Sequence, residues 1–208
     1  MLASPEVLPP YELPDLSGQL DAVLPALAAG RPLQHIARRV VIASVGRLDF
    51  SQQLAADVAR TCALRGYRTL AIDTNLHDPM LHEILGTPNL RGLSNLLGNN
   101  SESPHRLIEP TGVPNLAIMP AGPPPPNGSS LLSSEDVFHR VEPIARKFDF
   151  LVADCTRLPP VLAASIGEKA DSIVLLARRH KTPMRQLSQF VELMRAKGTV
   201  QPSVLLVD

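Results

Sequence analysis

The sequence predicts a doubly wound α/β fold, in which a mainly parallel sheet is covered by helices on both faces. Short apolar runs alternate along the chain with longer stretches that have helical spacing. Such alternation requires crossover connections, and crossovers produce parallel strands that are buried on both sides. With 208 residues and 44% hydrophobic content, the chain can bury one sizeable core. The predicted strands cover residues 39–45, 68–73, 115–119, 149–154, 172–177 and 203–207.

The composition of the chain argues against a nucleic-acid-binding protein, and its hydropathy argues against a membrane-spanning or secreted one. The 20 basic residues balance 20 acidic ones, which argues against nucleic acid as the main partner. No apolar run approaches the roughly 18 residues that a bilayer crossing needs, and the first residues do not have the pattern of a secretory signal. We therefore expect a cytoplasmic protein. Cys62 and Cys155 have neither metal-ligand spacing nor the pattern of a disulfide framework, so we expect two buried thiols and no metal site.

The first residues differ from the rest of the chain. Four prolines within the first fourteen residues predict a flexible tail over residues 1–16, followed by a single domain over residues 17–208. Ser17 can cap a short helix on which Leu20 and Leu24 share an apolar face. This face either packs on the edge of the domain or binds a partner, and Leu20 and Leu24 are therefore candidates for partner binding.

Two longer helices have clear apolar stripes, which we interpret as core. The first helix begins near Ser51, and its stripe consists of Leu54, Val58 and Cys62. The last helix is predicted to have Thr182 as its cap and to end at Gly198. Its stripe consists of Leu187, Phe190, Val191 and Met194.

Residues 39–73 have the order of elements with which a phosphate-binding P-loop domain begins: strand, turn, long helix and second strand. When the helix is registered on the residues that follow it, Ser51 occupies the position of the Walker lysine. Phe50 then occupies the position of the preceding glycine, and Gln52 that of the hydroxyl residue that binds Mg²⁺. The frame of a P-loop is therefore present without its side chains.

The chemistry of a P-loop depends on those missing residues. Glycines let the backbone approach the phosphates, a lysine neutralises their charge, and a Ser or Thr hydroxyl binds Mg²⁺. Here Ser44 and Gly46 lie in the turn, but Val45 occupies the first glycine position and Phe50 is bulky. We expect a vestigial loop that binds no ATP, Mg²⁺ or other cofactor. On local grounds alone, an ordinary polar connection between strand and helix is an alternative.

Five segments farther along the chain carry a family resemblance. They are residues 73–82, 89–98, 119–134, 148–156 and 175–182, and the third, with its Pro-Pro-Asn and Leu-Leu-Ser-Ser runs, is the most specific. These segments resemble, in order, those of the bacterial tyrosine kinases (BY-kinases) of capsule and exopolysaccharide export. That family is a branch of the larger MinD/ParA-like group of P-loop proteins. The resemblance covers nearly the whole chain beyond residue 38 and implies the same P-loop NTPase-like fold.

The resemblance also concerns acidic residues at strand ends. In the resembling kinases the aspartates that match Asp73 and Asp154 serve the metal and the attacking hydroxyl, while Asn75 replaces a further aspartate of the pattern. Without the lysine, we expect no catalytic residue here and interpret Ser51, Gln52, Asp73, Asn75 and Asp154 as vestigial. We expect the two aspartates to be partly solvated and to contribute little to stability. His77 or Arg91 as a replacement cation is a less favoured alternative.

The function predicted from these residues is a catalytically degenerate kinase-like subunit that regulates or scaffolds exopolysaccharide synthesis and export. The resemblance implies, as partner, a membrane chain-length or co-polymerase protein or an active kinase paralogue. We expect a location at the inner face of the membrane through that partner, and a homo-oligomer is possible. One alternative is a weakly active ATP-binding kinase or ATPase of the same pathway, and another is a MinD/ParA-like positioning protein.

A proline-rich loop is a second candidate for partner binding. Residues 123–126 are consecutive prolines, which cannot form a helix and which favour a rigid, extended segment. Pro125, Pro126 and Asn127 are the candidate residues. A purely structural role, as in the resembling kinases, is the alternative.

Overall fold

The computed structural model of the protein describes residues 37–98, 102–134 and 136–207. The predicted tail over residues 1–16 and the helix that contains Leu20 and Leu24 lie outside the described residues. Seven strands form one sheet with the order β3-β4-β2-β5-β1-β6-β7. The strands are β1 (Arg38–Ser44), β2 (Thr69–Asp73), β3 (Glu109–Pro110), β4 (Leu116–Met119), β5 (Phe150–Asp154), β6 (Ser172–Arg178) and β7 (Ser203–Val207).

The helices connect the strands and cover both faces of the sheet. They are α1 (Ser51–Leu64), α2 (Leu81–Ile84), α3 (Leu93–Gly98), α4 (Gly128–Ser134), α5 (Val137–Ala145), α6 (Pro160–Gly167) and α7 (Met184–Ala196), with a 3-10 turn at Pro104–Arg106. All strand pairs are parallel except that of β3 with β4. The doubly wound fold predicted from the alternation of runs is confirmed.

Two apolar clusters fill the space between the sheet and its helices. One side of the sheet packs on α1 and α2, through residues such as Leu54, Val58 and Leu81. The other side packs on α5, α6 and α7, through residues such as Phe138 and Met194. The central strands β1, β2 and β5 are buried almost throughout, as expected of parallel strands that are covered on both faces.

The six predicted strands and the two long helices all form, with bounds that differ by one or two residues. The two-residue strand β3 was not predicted, because so short a segment has no readable periodicity. The predicted cap of the last helix is wrong. The Thr182 hydroxyl accepts a hydrogen bond from the Arg178 N–H at 2.7 Å, and α7 starts at Met184 without a side-chain cap.

Two smaller predictions concern the cysteines and the membrane. Cys62 and Cys155 are both buried and free, as expected of small apolar side chains. Among the described residues, none of the helices combines the length and the apolar character that a bilayer crossing requires.

Candidate functional site

The candidate site lies at the carboxyl edge of the sheet, where β2, β5 and β1 end side by side. Asp73 is the last residue of β2 and Asp154 the last residue of β5, and the two are direct partners in the strand register. Ser44 ends β1 beside them. In open α/β sheets this edge is where ligands bind, so the topology brings the sequence-predicted positions together.

Asp73 is completely buried. Its Oδ1 accepts a hydrogen bond from the Asn75 N–H at 3.0 Å, and its Oδ2 accepts one from the Leu81 N–H at 3.2 Å. Burial raises the pKa of Asp73 well above its ordinary value, and the charge of Asp154 raises it further. Asp73 therefore positions the first turn of α2 as well as facing its partner carboxyl.

Asp154 is also buried, with 1% of its surface exposed. Its Oδ1 accepts hydrogen bonds from the Thr156 N–H at 3.0 Å and the Thr156 hydroxyl at 2.7 Å. Burial raises the pKa of Asp154 to about 6, although these hydrogen bonds lower it. The expectation that Asp73 and Asp154 are partly solvated is thus wrong, because the segments after both strands fold back over the carboxyls and donate N–H groups to them.

The turn between β1 and α1 has the frame of a P-loop, but its polar groups form hydrogen bonds within the protein. Gly46 retains a positive φ of 78°, and the Ser44 hydroxyl donates to the Thr156 carbonyl at 2.6 Å. The Ser51 N–H, at the lysine position, donates to the Leu48 carbonyl at 3.2 Å. In a P-loop, backbone N–H groups of this kind point at the phosphates, so this donor is already engaged.

Phe50 is a core residue in this structure. Its side chain is 8% exposed and packs in the cluster beneath α1. The guanidinium of Arg178 lies over its ring, with Cζ 5.8 Å from the ring centre. An aromatic ring thus occupies the position at which a P-loop needs a glycine for close approach of the backbone.

The first turn of α1 presents two buried polar side chains. Ser51 is 0% exposed and Gln52 is 3% exposed. Among the described residues, Ser51 Oγ, Gln52 Nε2 and Asp154 Oδ2 have no hydrogen-bond partner. The Gln52 side chain does lower the pKa of Asp154. This is the effect of a hydrogen-bond donor, so the Gln52 amide is directed at the Asp154 carboxyl, at more than ordinary hydrogen-bond length.

These residues do not fit the ATP and Mg²⁺ that the resembling family holds at this position. The frame lacks the lysine and the hydroxyl residue, and Phe50 fills the glycine position. Among the described residues, no group of three or more His, Cys, Asp or Glu side chains could hold a metal ion. The absence of a cofactor stays a prediction.

Asn75 is held by local hydrogen bonds. Its Nδ2 donates to the Asp78 carbonyl in a short contact, and its Oδ1 accepts from the Asp78 N–H at 3.4 Å. The side chain thereby closes the turn that leads into α2. Of the two other cations considered from the sequence, Arg91 lies apart on the surface, where it pairs with Glu102 at 3.2 Å. His77 lies at the candidate site, where it lines a cleft of 510 Å³ with Ser44 and Gly46.

The second and third segments of the family resemblance meet in a tight junction. The Asn89 side chain accepts from the Gly122 N–H at 2.7 Å and donates to the Gly122 carbonyl at 3.3 Å. A Cβ at Gly92 would lie 1.9 Å from the Pro120 carbonyl oxygen, which no packing permits. Close contact of the backbones therefore explains why these segments match the family pattern. This explanation does not require a catalytic role.

The proline-rich loop follows this junction. Pro123, Pro124, Pro126 and Asn127 are exposed, and Pro125 is half-buried. The surface that was predicted for partner binding is therefore accessible. The other predicted surface, at Leu20 and Leu24, lies outside the described residues.

Two functional candidates were missed in the sequence. Arg157 and Arg178 line a cleft of 440 Å³ beside the start of α1. Arg157 lies three residues after Asp154, and Arg178 is the last residue of β6. Both follow the rule that residues at strand ends gather at one edge, which we applied to acidic residues but not to basic ones.

Sequence similarity to known proteins shows the family to which the chain is related. No protein-family model matches the chain. CapB of Staphylococcus aureus, named as a tyrosine-protein kinase, is 33% identical over 154 residues, which are 73% of this chain and 67% of CapB. The tyrosine-protein kinase Wzc of Salmonella typhimurium is 29% identical over 167 residues, which are 78% of this chain but 22% of Wzc. The chain thus spans about a fifth of the length of Wzc.

A solved structure agrees with the fold. The crystal structure of the chimerical protein CapA2B2 superimposes with a TM-score of 0.78 at 24% identity, over 94% of this chain and 85% of that one. At this identity the likeness supports the fold alone. It agrees with the doubly wound fold and its mainly parallel seven-stranded sheet.

Proposed function

The chain belongs to the bacterial tyrosine-kinase family, and we propose that within it the protein is a non-catalytic regulatory or scaffold subunit of capsule or exopolysaccharide synthesis and export. The observation that carries this proposal is the turn between β1 and α1. Its frame is intact, but Ser51, Gln52 and Phe50 stand where the family's phosphate chemistry requires other side chains.

Electrostatics supports the proposal. The buried carboxyls of Asp73 and Asp154 face the position at which the phosphates of ATP would lie, without the lysine that balances this charge in a P-loop. One unbalanced pair of charges about 4 Å apart costs about 4 kcal/mol at an effective dielectric constant of 20. This corresponds to nearly three decades in affinity, since about 1.4 kcal/mol is tenfold. The engaged N–H of Ser51 removes a further donor.

The alternative is a weakly active kinase or ATPase with a rearranged site. A specific observation favours it: Ser51 Oγ, Gln52 Nε2 and Asp154 Oδ2 are buried beside one another in the frame and have no partner among the described residues. Buried polar atoms are usually satisfied, so such atoms are often completed by a ligand. The two hypotheses differ in whether that ligand is ATP with Mg²⁺.

The proposal extends to partners and location. As a subunit without chemistry of its own, the protein acts by contact with a membrane chain-length or co-polymerase protein, or with an active kinase paralogue. Such a partner holds it at the cytoplasmic face of the membrane. The exposed Pro126 and Asn127 supply one accessible surface for this contact, and assembly with further copies of itself is compatible with it.

Calorimetric titration with ATP and Mg²⁺, together with an assay of tyrosine phosphorylation, tests the chemistry. We expect neither binding nor transfer at millimolar nucleotide, because the loop offers no lysine and no close backbone approach. A dissociation constant in the low micromolar range, or phosphate transfer that depends on Asp154, would contradict the proposal and favour the weak kinase.

A cellular experiment separates a scaffold from an enzyme. Deletion of the protein should reduce or alter the polymer, whereas the Asp154→Asn strain should retain normal output, since Asn can still accept the Thr156 hydrogen bonds. Substitution of Pro126 and Asn127 together should behave like the deletion. Loss of polymer in the Asp154→Asn strain, with the protein present at normal abundance, would instead identify an active site.

A further inference from the structure

A further cleft lies near the amino edge of the sheet, away from the turn between β1 and α1. Its volume is 640 Å³, and its lining includes the start of β1 at Arg39, residues of α5, and the 3-10 turn that begins at Pro104. A volume of this size is typical of sites that hold one small organic molecule. The charged residues of the cleft lie outside the five segments of the family resemblance, which therefore does not account for them.

Three arginines supply positive charge to this cleft: Arg39, Arg140 and Arg146. The ion pairs found within the described residues engage none of the three. The Nε atom of Arg140 is buried and has no hydrogen-bond partner in the described part of the chain. A buried donor without a partner is costly, and an anion is the ligand that satisfies a guanidinium group best. The cleft therefore favours a ligand with negative charge.

Two of the guanidinium groups are held in place by the protein itself. The Arg140 Nη2 donates to the Leu96 carbonyl in a short contact. The Arg39 guanidinium lies over the ring of Phe138, with Cζ 5.8 Å from the ring centre. Groups that are ordered before a ligand arrives lose less conformational entropy when it binds. These contacts therefore prepare the cleft to bind an anionic group.

Two carboxylates line the same cleft and restrict the kind of anion. Glu102 pairs with Arg91 at 3.2 Å, and Glu142 Oε2 lies 3.3 Å from His139 Nδ1. An ionised carboxylate only accepts hydrogen bonds, so a bare anion would be repelled by these oxygens. A ligand that also has hydroxyl groups can donate to them. The lining thus suits a molecule that combines an anionic group with several hydroxyls.

The apolar part of the lining is aliphatic. It comes from Leu96, Pro104, Pro143 and Ala145, and no Phe, Tyr or Trp is among the described residues that line the cleft. Aliphatic side chains can cover the C–H faces of a saturated ring and remove them from water. A nucleobase would instead favour an aromatic side chain on which to stack. The cleft therefore suits a sugar ring better than a nucleotide base.

We propose that this cleft binds an anionic sugar, a pyranose ring that carries a phosphate or a carboxylate group. Arg39, Arg140 and Arg146 hold the anionic group. Glu102 and Glu142 accept hydrogen bonds from the hydroxyls, and the aliphatic side chains cover the ring. The site itself is independent of the proposed function, but its use to sense an acidic sugar building block of the polymer rests on that function.

NMR titration of the isotope-labelled protein in EDTA, with glucose 1-phosphate and glucuronate as separate probes, tests the proposal. We expect saturable shifts that centre on the amides of α5 and of the 3-10 turn Pro104–Arg106. Glucose lacks the charge, and inorganic phosphate lacks the sugar ring. Each should bind at least about tenfold more weakly than the tighter of the two probes, because each engages only part of the lining.

Arginine variants test the anionic part of the site. Arg140→Gln and Arg146→Gln should each weaken binding of the tighter probe at least about fivefold, because each removes a charge-assisted contact. The matched control is Arg195→Gln, which makes the same change of charge at an exposed position of α7, none of whose described residues lines the cleft. We expect this control to bind within about twofold of the parent protein, since its change lies outside the cleft.

A carboxylate variant tests the part of the site that recognises hydroxyls. Glu142→Ala removes an acceptor and a negative charge, so the ratio of the affinity for glucose 1-phosphate to that for inorganic phosphate should fall at least about threefold. The thermal midpoint of each variant shows whether it is folded. Glu142 and Arg146 are exposed, so these two variants carry the test if Arg140→Gln does not fold.

Each outcome supports or overturns the proposal. Tighter binding of glucose 1-phosphate assigns the site to sugar phosphates, and tighter binding of glucuronate assigns it to sugar acids. Absence of binding, equal affinity for glucose or inorganic phosphate, an unchanged affinity ratio in Glu142→Ala, or an equal loss in the Arg195→Gln control overturns it. Shifts that centre on the turn between β1 and α1 also overturn it. Binding of ATP with Mg²⁺ at that turn would contradict the proposed function and leave this site untouched.

Discussion

Two regions of the molecule, the turn from β1 to α1 and the junction of Gly92 with Gly122, differ in how closely their residues match the family pattern. The turn from β1 to α1 has the course of a P-loop but carries Phe50 and Ser51 at its decisive positions. The junction of Gly92 with Gly122 matches the family pattern residue by residue, and its backbone contacts leave no space for a side chain at either glycine.

The difference separates what a residue does for folding from what it does for chemistry. At the junction, glycine is required by contact, since a Cβ on Gly122 would lie 2.6 Å from Ser94 Oγ and its φ is +79°. In the turn after β1, glycine and lysine would be required only by a bound phosphate. In this chain Phe50 occupies the glycine position and joins the core.

The largest expected effect is at the junction. Gly92→Ala should destabilise the protein by about 4 kcal/mol or more, because its Cβ would lie 1.9 Å from the Pro120 carbonyl oxygen. Gly98→Ala is the matched control, since nothing lies within 4 Å of a Cβ there. Urea denaturation measures both. A small loss in Gly92→Ala, similar to the control, would show that the junction can open.

A second prediction concerns the turn after β1 itself. Phe50→Ala should cost about 3 kcal/mol of unfolding free energy, the usual range for truncating a buried Phe, because the ring now belongs to the core. Leu64→Ala, at the exposed end of the same helix, should change stability by less than about 0.5 kcal/mol. If Phe50→Ala is as mild as this control, the ring is not a core element and the comparison of the two regions loses its basis.

The third prediction uses pH. The pKa of Asp154 is raised from 3.8 to about 6 in the folded protein, so ionisation of this group destabilises the fold as pH rises through that interval. Asp154→Asn should therefore be more stable than the parent protein at pH 7 by up to about 3 kcal/mol, at about 1.4 kcal/mol per pKa unit. The difference should vanish below about pH 3, where the carboxyl is protonated in both the folded and the unfolded protein.

Asp149 provides the control of opposite sign. The hydrogen bond from Arg68 lowers the pKa of Asp149, so its ionised form contributes stability that is present at neutral pH and lost as pH falls. Asp149→Asn should accordingly reduce stability at pH 7 and have no effect in acid. Thermal midpoints across this pH range test both variants. Parallel pH profiles for Asp154→Asn and the parent protein would mean that the Asp154 carboxyl is not strained by burial.

The smallest expected effects distinguish the two serines of the turn. Ser44→Ala should cost about 1 kcal/mol, because its hydroxyl donates to the Thr156 carbonyl at 2.6 Å. Ser51→Ala should be neutral or stabilising by about 0.5 kcal/mol, since it removes a buried hydroxyl that has no partner in the described part of the chain. Denaturation midpoints measure the pair. A loss in Ser51→Ala equal to that in Ser44→Ala would reveal a hydrogen bond that the structure does not contain.

Much of the site could be placed from the sequence. Asp73 and Asp154 were predicted at the ends of strands, and they are register partners in β2 and β5. The register of the P-loop frame predicted that a helix would start near Ser51, and α1 starts there. These predictions succeeded because strand ends and helix starts depend on local patterns of apolar, glycine and polar residues.

The predictions that failed depend on contacts that form when loops fold back on the strand ends. The burial of Asp73 follows from the N–H of Leu81, which folds back eight residues later. The hydroxyl of Thr182 is engaged by Arg178 rather than by α7. The meeting of Arg157 and Arg178 in one cleft joins the ends of β5 and β6, which β1 separates in the sheet. None of these contacts has a signature in local periodicity.

The sequence by itself determined the fold class, the positions of the central strands and which residues stand in the turn after β1, because each depends on residue type and spacing along the chain. Only the tertiary structure decided the surroundings of those residues. It buried the paired carboxyls, turned Phe50 into a core residue, and left two arginines beside a buried amide. The physical reason is that burial and charge balance depend on which distant groups share a low-dielectric space, and packing alone decides this.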